Sequence, residues 1–282
     1  MNLPGPSALS ALVADIGIPP CPEMLLRLHD ELSRSEPRID ELVRVAKTDV
    51  AVSAALLKAA YAPWAGLGCR RGTLAQAFER LGPVRCTALL SALVLRKVLP
   101  ESGPSLERFW DVAHRRSVAM AWLARRHGAV APDVAQTFGL FCDVGIPVLL
   151  QRFHTPSYRV TLAEANLGHQ PFTEVERARH GTDHAVVGAA LARTWGVSED
   201  IVSAVCLHHD YRVFTVSPRH PSAVLVALAL VAERMIQLHL GRNRHGEWPR
   251  GGAQALQSLG MSLADFEDWS DEVKTEMVLT SG

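Results

Sequence analysis

Hydrophobic positions recur with the period of a helix almost throughout the chain, and few stretches show the period-two alternation of half-buried strands. The pattern predicts about a dozen helices. The first runs from Glu23 to Ser33, after the Pro19-Pro20-Cys21-Pro22 stop, and the second from Ile39 to Lys47. Asp49 is placed to cap a third, Val50 to Tyr61, whose Val52, Leu56 and Ala59 share a face. Thr73 opens a short helix stopped at Leu81-Gly82, and Pro83 starts the next, which reaches Leu99. Ser105 can cap a long helix to His127. Pro132 starts another that carries Cys142-Asp143 toward its end. Thr182 or Asp183 caps a helix ending at Trp195-Gly196, and Ser198, with Glu199 and Asp200 in the first turn, opens one through His209. A buried helix around Ala223 to Leu240 closes the core. Residues 62–68 and 243–252 read as loops, and the stretch from Pro100 to Pro104 as the best internal boundary.

Composition adds limits. With 282 residues, 48% hydrophobic and 21% charged, the chain can bury a large core as one large or two medium domains. Lys plus Arg (29) balances Asp plus Glu (29), so no overall field draws the protein to nucleic acid or an anionic membrane. The five cysteines include no C-x-x-C pair, which argues against a disulfide framework or zinc ribbon and suits a reducing cytosol. Ala8 to Ala14 is too short for a signal sequence, and the apolar run Ala223 to Ala232 is too short for a membrane span. A cytoplasmic protein is expected. The arginine pairs at 70–71, 115–116 and 125–126, the charged stretch Glu176 to His180, and the acidic segment Asp265 to Glu276 all read as solvated surface.

Candidate chemistry gathers around histidines. His184 shares a helical stripe with Val187, Gly188, Leu191 and Trp195, so it faces inward. In Leu207-His208-His209-Asp210 either histidine can point at the core, and the pattern does not choose between them. His114 lines up with Trp110, Ser117 and Ala121. In the run Gly139-Leu140-Phe141-Cys142-Asp143-Val144-Gly145, a cysteine and an aspartate sit side by side among apolar residues. Inward His and Asp on neighbouring helices are how helical bundles hold Fe, Mn or Zn. The competing reading of each is a hydrogen-bonded core residue. Trp64, between Pro63 and Gly66, reads either as packing in the first-half bundle or as a partner-contact residue.

Several stretches together resemble the HDOD domain, a regulatory relative of the HD and HD-GYP phosphohydrolases. They are Pro19-Pro20-Cys21-Pro22-Glu23, Thr48 to Lys58, Phe78-Glu79-Arg80-Leu81-Gly82, Phe109-Trp110, Thr182 to Gly188 and Leu207-His208-His209. The resemblance spans residues 14–240. It implies an all-α, HD-like multi-helix bundle (105–240) with a smaller N-terminal helical bundle (14–100) packed on it, and a loop and acidic helical extension over 241–282. Where catalytic relatives carry His-Asp-Ile-Gly, this chain reads Cys142-Asp143-Val144-Gly145. No lysine lies near Gly145, and Tyr211-Arg212-Val213-Phe214 stands where phosphodiesterases place Gly-Tyr-Pro. The resemblance therefore implies a non-catalytic module of bacterial signal transduction with no cofactor. Its partners would be response regulators or cyclic-di-GMP enzymes bound in trans, not nucleic acid or membrane. Cys142 would be small core packing, and Asp143 would be partnered by His184 or a helix N-terminus. The alternative is a divergent metal-dependent phosphohydrolase whose Fe, Mn or Zn is held by Asp143, His184, His208 or His209, and His114, with Cys142 as a further candidate.

Overall fold

The local signals act as the sequence reading predicts. Thr73 forms a reciprocal capping box with Gln76, Asp49 Oδ1 accepts from Val52 N, and Asp183 accepts from Val186 N. In the computed structural model the described residues are 16, 21–32, 34–60, 73–99, 105–155, 157–167, 170–241 and 246–278. Among them there are helices and no strands. The N-terminal bundle comprises α1 (Glu23–Leu32), α2 (Ile39–Ala46), α3 (Val50–Ala60), α4 (Leu74–Leu81) and α5 (Pro83–Val98). Leu28, Leu42, Leu56, Phe78 and Leu90 fill its centre.

The larger bundle begins with α6 (Ser105–His127), α7 (Pro132–Phe141), α8 (Gly145–Arg152), α9 (Tyr158–Ala165) and α10 (Phe172–His180). It continues through α11 (His184–Thr194), α12 (Glu199–Leu207), α13 (Val213–Val216), α14 (Pro221–His239), α15 (Trp248–Leu259) and α16 (Leu263–Val278). Helix α14 runs through the centre, with every residue from Ser222 to Ala232 buried. Two helical stretches, Pro132–Arg152 and Pro221–His239, are long and apolar enough to cross a membrane, but most of each is buried inside the bundle. The two bundles meet where α5 packs on α6 and α7.

The C-terminal region departs from the expectation of a solvated tail. Helix α16 buries Phe266 and Val273 and sets Trp269 edge-on to Trp122 at 6.0 Å, while Arg126 pairs with Glu272. Asp265, Glu267, Asp268, Asp271 and Glu272 lie exposed on its outer face. The span expected to be a loop over 243–252 is helical from Trp248 onward. Trp64, Cys69, Arg70-Arg71 and the boundary at 100–104 lie outside the described residues.

Two glycines bring the site's helices together. A Cβ on Gly139 would lie 2.8 Å from the Ser117 Cα, so α6 and α7 touch backbone to backbone. A Cβ on Gly145 would lie 2.1 Å from the His184 carbonyl oxygen, so the start of α8 rests directly on α11. Gly145→Ala should therefore cost about 3 kcal/mol or more, since the obstructing atom is backbone and cannot rotate away. Gly246→Ala, which meets nothing within 4 Å, should be near neutral. Thermal melts followed by circular dichroism check both.

Candidate functional site: a histidine–aspartate cluster

Helices α6, α8, α11 and α12 converge on one polar cluster. Its centre is Asp143, in the turn between α7 and α8, together with His184, His208 and His209. One ligand atom from each lies within 4.8 Å of all the others. The geometry is set from behind. His184 Nδ1 is 2.7 Å from Glu176 Oε2, His208 Nδ1 is 2.7 Å from the Val205 carbonyl, and His209 Nδ1 is 3.3 Å from Glu247 Oε2. Each acceptor calls for a proton on Nδ1 and so turns Nε2 inward. His184 Nε2 then lies 3.2 Å from His208 Nε2, 3.1 Å from His209 Nε2 and 3.5 Å from Asp143 Oδ1. His208 Nε2 reaches the same carboxylate oxygen at 3.2 Å. The Phe172 ring stacks on His209 at 5.7 Å and meets His184 edge-on at 5.1 Å, giving the cluster an apolar wall.

Asp143's main partner is a residue expected to be solvated. Arg116 is 3% exposed; its Nη2 lies 2.6 Å from Asp143 Oδ2 and its Nε donates to the Gly139 carbonyl at 3.1 Å. Burial alone would raise the Asp143 pKa, but Arg116, with His184 and His208, holds it well below the ordinary carboxylate range. The expected partner, His184, is present but secondary, and no helix N-terminus is needed. His114, two residues earlier on α6, is not in the converging group. Residues two apart point to different sides of a helix, so turning Arg116 inward turns His114 away.

Glu176 also overturns its expected place at the surface. It is 0% exposed, accepts from the Tyr158 hydroxyl, and holds His184 through both Nδ1 and the backbone N–H. Burial lowers the His184 pKa, yet Glu176 and Asp143 more than offset this and bring it up to about 9. His208 is likewise raised against the effect of burial, by Cys142 and Asp143 beside it. His209 goes the other way, down to about 4, because burial and its cationic neighbour His208 both act against its charge. Glu247 completes the supports. Its Oε2 also accepts from the Tyr211 hydroxyl at 2.5 Å. Cys142 is buried beside His208 but outside the four converging ligands.

Both histidines of the pair thus enter the cluster, resolving what periodicity left open. Sequence reasoning missed Arg116, Glu176 and Glu247. For Glu176 a signal existed: it lies on one helical stripe with Thr173, which is also buried. The other two carry no local mark.

Comparison with known proteins follows the same lines. The family model of the HDOD domain matches residues 18–211, and the chain belongs to the HDOD family. An uncharacterised protein of Treponema pallidum is 25% identical over 206 residues, 72% of this chain. The chain spans about two fifths of that relative's length. Among solved structures, an HDOD domain protein of unknown function from Geobacter sulfurreducens is 21% identical with a TM-score of 0.69, covering 96% of this chain and 94% of its own. A candidate phosphohydrolase from Shewanella amazonensis is 20% identical with a TM-score of 0.71, covering 97% and 98%. A candidate signal transduction protein from Marinobacter aquaeolei is 20% identical with a TM-score of 0.77, covering 96% and 60%. At these identities the solved structures show the all-α fold alone.

Two outcomes test the cluster. Arg116→Met should cost about 3 kcal/mol by removing the main partner of the Asp143 carboxylate, and adding Asp143→Asn should recover part of it. Urea denaturation of the four proteins in that cycle measures the coupling. Because the folded pKa of His184, about 9, exceeds its ordinary 6.5, its protonation adds stability that is complete below pH 6.5 and fades as pH rises through 9. Chelator-treated protein should therefore lose urea resistance over that interval, and Glu176→Gln should flatten the loss.

Proposed function

We propose that this chain is a cytoplasmic regulatory module of bacterial signal transduction, acting through contacts with response regulators or cyclic-di-GMP enzymes in trans. In this reading the His–Asp cluster is architecture, not a hydrolytic centre. The observation that carries it is Arg116 on Asp143 Oδ2, at 2.6 Å. A guanidinium on one carboxylate oxygen blocks the arrangement in which that carboxylate bridges two cations through both oxygens, one way to hold the ion pair of two-metal phosphoester hydrolysis. Here one oxygen holds a guanidinium and the other faces two imidazoles. The residues replacing His, Lys and Gly-Tyr-Pro in the family's catalytic pattern support the same reading: Cys142, Ile146-Pro147 and Tyr211-Arg212.

A second reading has its own support. Three inward Nε2 atoms, two backed by a hydrogen-bond acceptor on Nδ1 and the third by a carboxylate 3.3 Å from Nδ1, and one carboxylate oxygen form a donor set suited to one Fe, Mn or Zn ion. The residues fit such an ion. Asp143, His184, His208 and His209 would hold it, and it would supply Lewis acidity and a bound water of lowered pKa. This chain's own contribution would be orientation: Glu176, the Val205 carbonyl and Glu247 fix the three rings, and Phe172 limits water.

Protein purified without chelator should show no hydrolysis of bis-p-nitrophenyl phosphate above background with added Mn²⁺, whatever metal elemental analysis finds. Turnover that disappears in both Asp143→Ala and His184→Ala would overturn the regulatory reading. A stoichiometric metal without turnover would place the ion in a structural role.

A further inference from the structure

An aspartate can offer a metal ion both of its oxygens or only one. Asp143 is held to one. Its Oδ2 carries the Arg116 guanidinium at 2.6 Å, while Oδ1 faces His184 Nε2 at 3.5 Å and His208 Nε2 at 3.2 Å. Arg116 has little freedom to leave. It is buried, its Nε donates to the Gly139 carbonyl at 3.1 Å, and α6 touches α7 backbone to backbone at the next residue, Ser117. The guanidinium is thus fixed on the far side of the carboxylate from the rings.

The other polar groups nearby add no donor. Glu176 and Glu247 stand behind the rings, on the Nδ1 side of His184 and His209. Cys142 is buried beside Asp143 but outside the converging group. Phe172 covers His184 and His209 with its ring. Among the described residues the set is therefore three imidazole nitrogens and one carboxylate oxygen. Its spacing suits a small ion. His184 Nε2 lies 3.2 Å from His208 Nε2, 3.1 Å from His209 Nε2 and 3.5 Å from Asp143 Oδ1. Zn²⁺ bonds of about 2.0–2.1 Å place tetrahedral donors about 3.3–3.4 Å apart. Adjacent donors of an octahedral ion stand about as close, so the number and kind of donors separate the two cases. Mn²⁺ and Mg²⁺ favour six donors, mostly oxygen, whereas four donors of which most are imidazole suit Zn²⁺.

Resting on the single-ion reading of the cluster, we propose that Arg116 determines its metal selectivity: by keeping Asp143 to one oxygen, it leaves a four-donor, tetrahedral site for Zn²⁺. Four protein donors fill a tetrahedron and leave no open position for substrate or water. The ion would tie together the turn before α8, the start of α11 and the turn after α12. A closed zinc site stabilises a fold without performing chemistry, which agrees with a module that does not turn over. Arg116 touches the ligand, not the ion, and so acts as a positioning residue.

The test uses the full chain stripped by chelator. Co²⁺ loading reports geometry, because its visible absorption is intense in a tetrahedral field and weak in an octahedral one. Wild-type protein should show the intense spectrum. Affinities for Zn²⁺ and Mn²⁺ are then measured against a competing chromophoric chelator. Nitrogen-rich sites in general prefer Zn²⁺ to Mn²⁺, so the deciding quantity is the change in that preference when Arg116→Met frees Oδ2. The ratio of the two affinities should fall about tenfold or more, and the Co²⁺ band should weaken. Should Arg116→Met fail to fold, the wild-type Co²⁺ spectrum decides alone. A weak, octahedral spectrum from wild-type protein, or an affinity ratio unchanged in Arg116→Met, would overturn the assignment to Arg116 while leaving the single-ion reading in place. Absence of binding by all three ions would overturn both.

Discussion

A buried guanidinium held against a partly covered carboxylate is the constraint that orders this molecule's polar centre. Arg116 can reach Asp143 because α6 and α7 touch at Ser117 and Gly139, and the Gly139 carbonyl also anchors the guanidinium. Asp143 in turn faces His184 because Gly145 lets α8 begin directly on the α11 backbone. Close backbone contact, buried charge and histidine orientation are thus one arrangement. A side chain added at either glycine would disturb all three.

The centre also balances its charge. Arg116, protonated His184 and protonated His208 offset Asp143, Glu176 and Glu247, while Glu233 has its pKa raised, chiefly by burial. A divalent ion held by the same rings would take the place of the two inner protons and leave the sum unchanged. The cluster is therefore electrostatically satisfied in either state, and its presence alone does not argue for hydrolysis. The position of Arg116 argues against a second cation, because it occupies Asp143 Oδ2, and it leaves a single ion on Oδ1 compatible with the cluster.

Much of the fold was legible in the sequence because helix signals are local. Thr73, Pro83, Asp183 and Gly82 each act within a few residues of their own position. His184, His208, His209 and Asp143 were also legible, through periodicity and through the family pattern. The errors share one cause. Arg116, Glu176 and the acidic helix α16 were read as solvated because their neighbours in sequence are charged, yet burial depends on which helix lies opposite. Arg116 is buried by α7 and Asp143, and Glu176 by Tyr158 and His184. The choice between His208 and His209 was undecidable from one stripe, since α12 ends at Leu207 and both histidines stand in the turn beyond it, where helical spacing no longer applies. Glu247 lies 38 positions beyond His209, too far for any spacing rule to link them.

That last contact separates two kinds of boundary. The family pattern ends at residue 211, but His209 Nδ1 faces the Glu247 carboxylate at 3.3 Å, just ahead of α15, and Tyr211 donates to the same oxygen. Gly251 leaves room for the Tyr211 ring, since a Cβ there would come within 2.7 Å of it. A fragment trimmed to the recognised motif would keep every residue of the signature and lose the carboxylate that faces the last histidine.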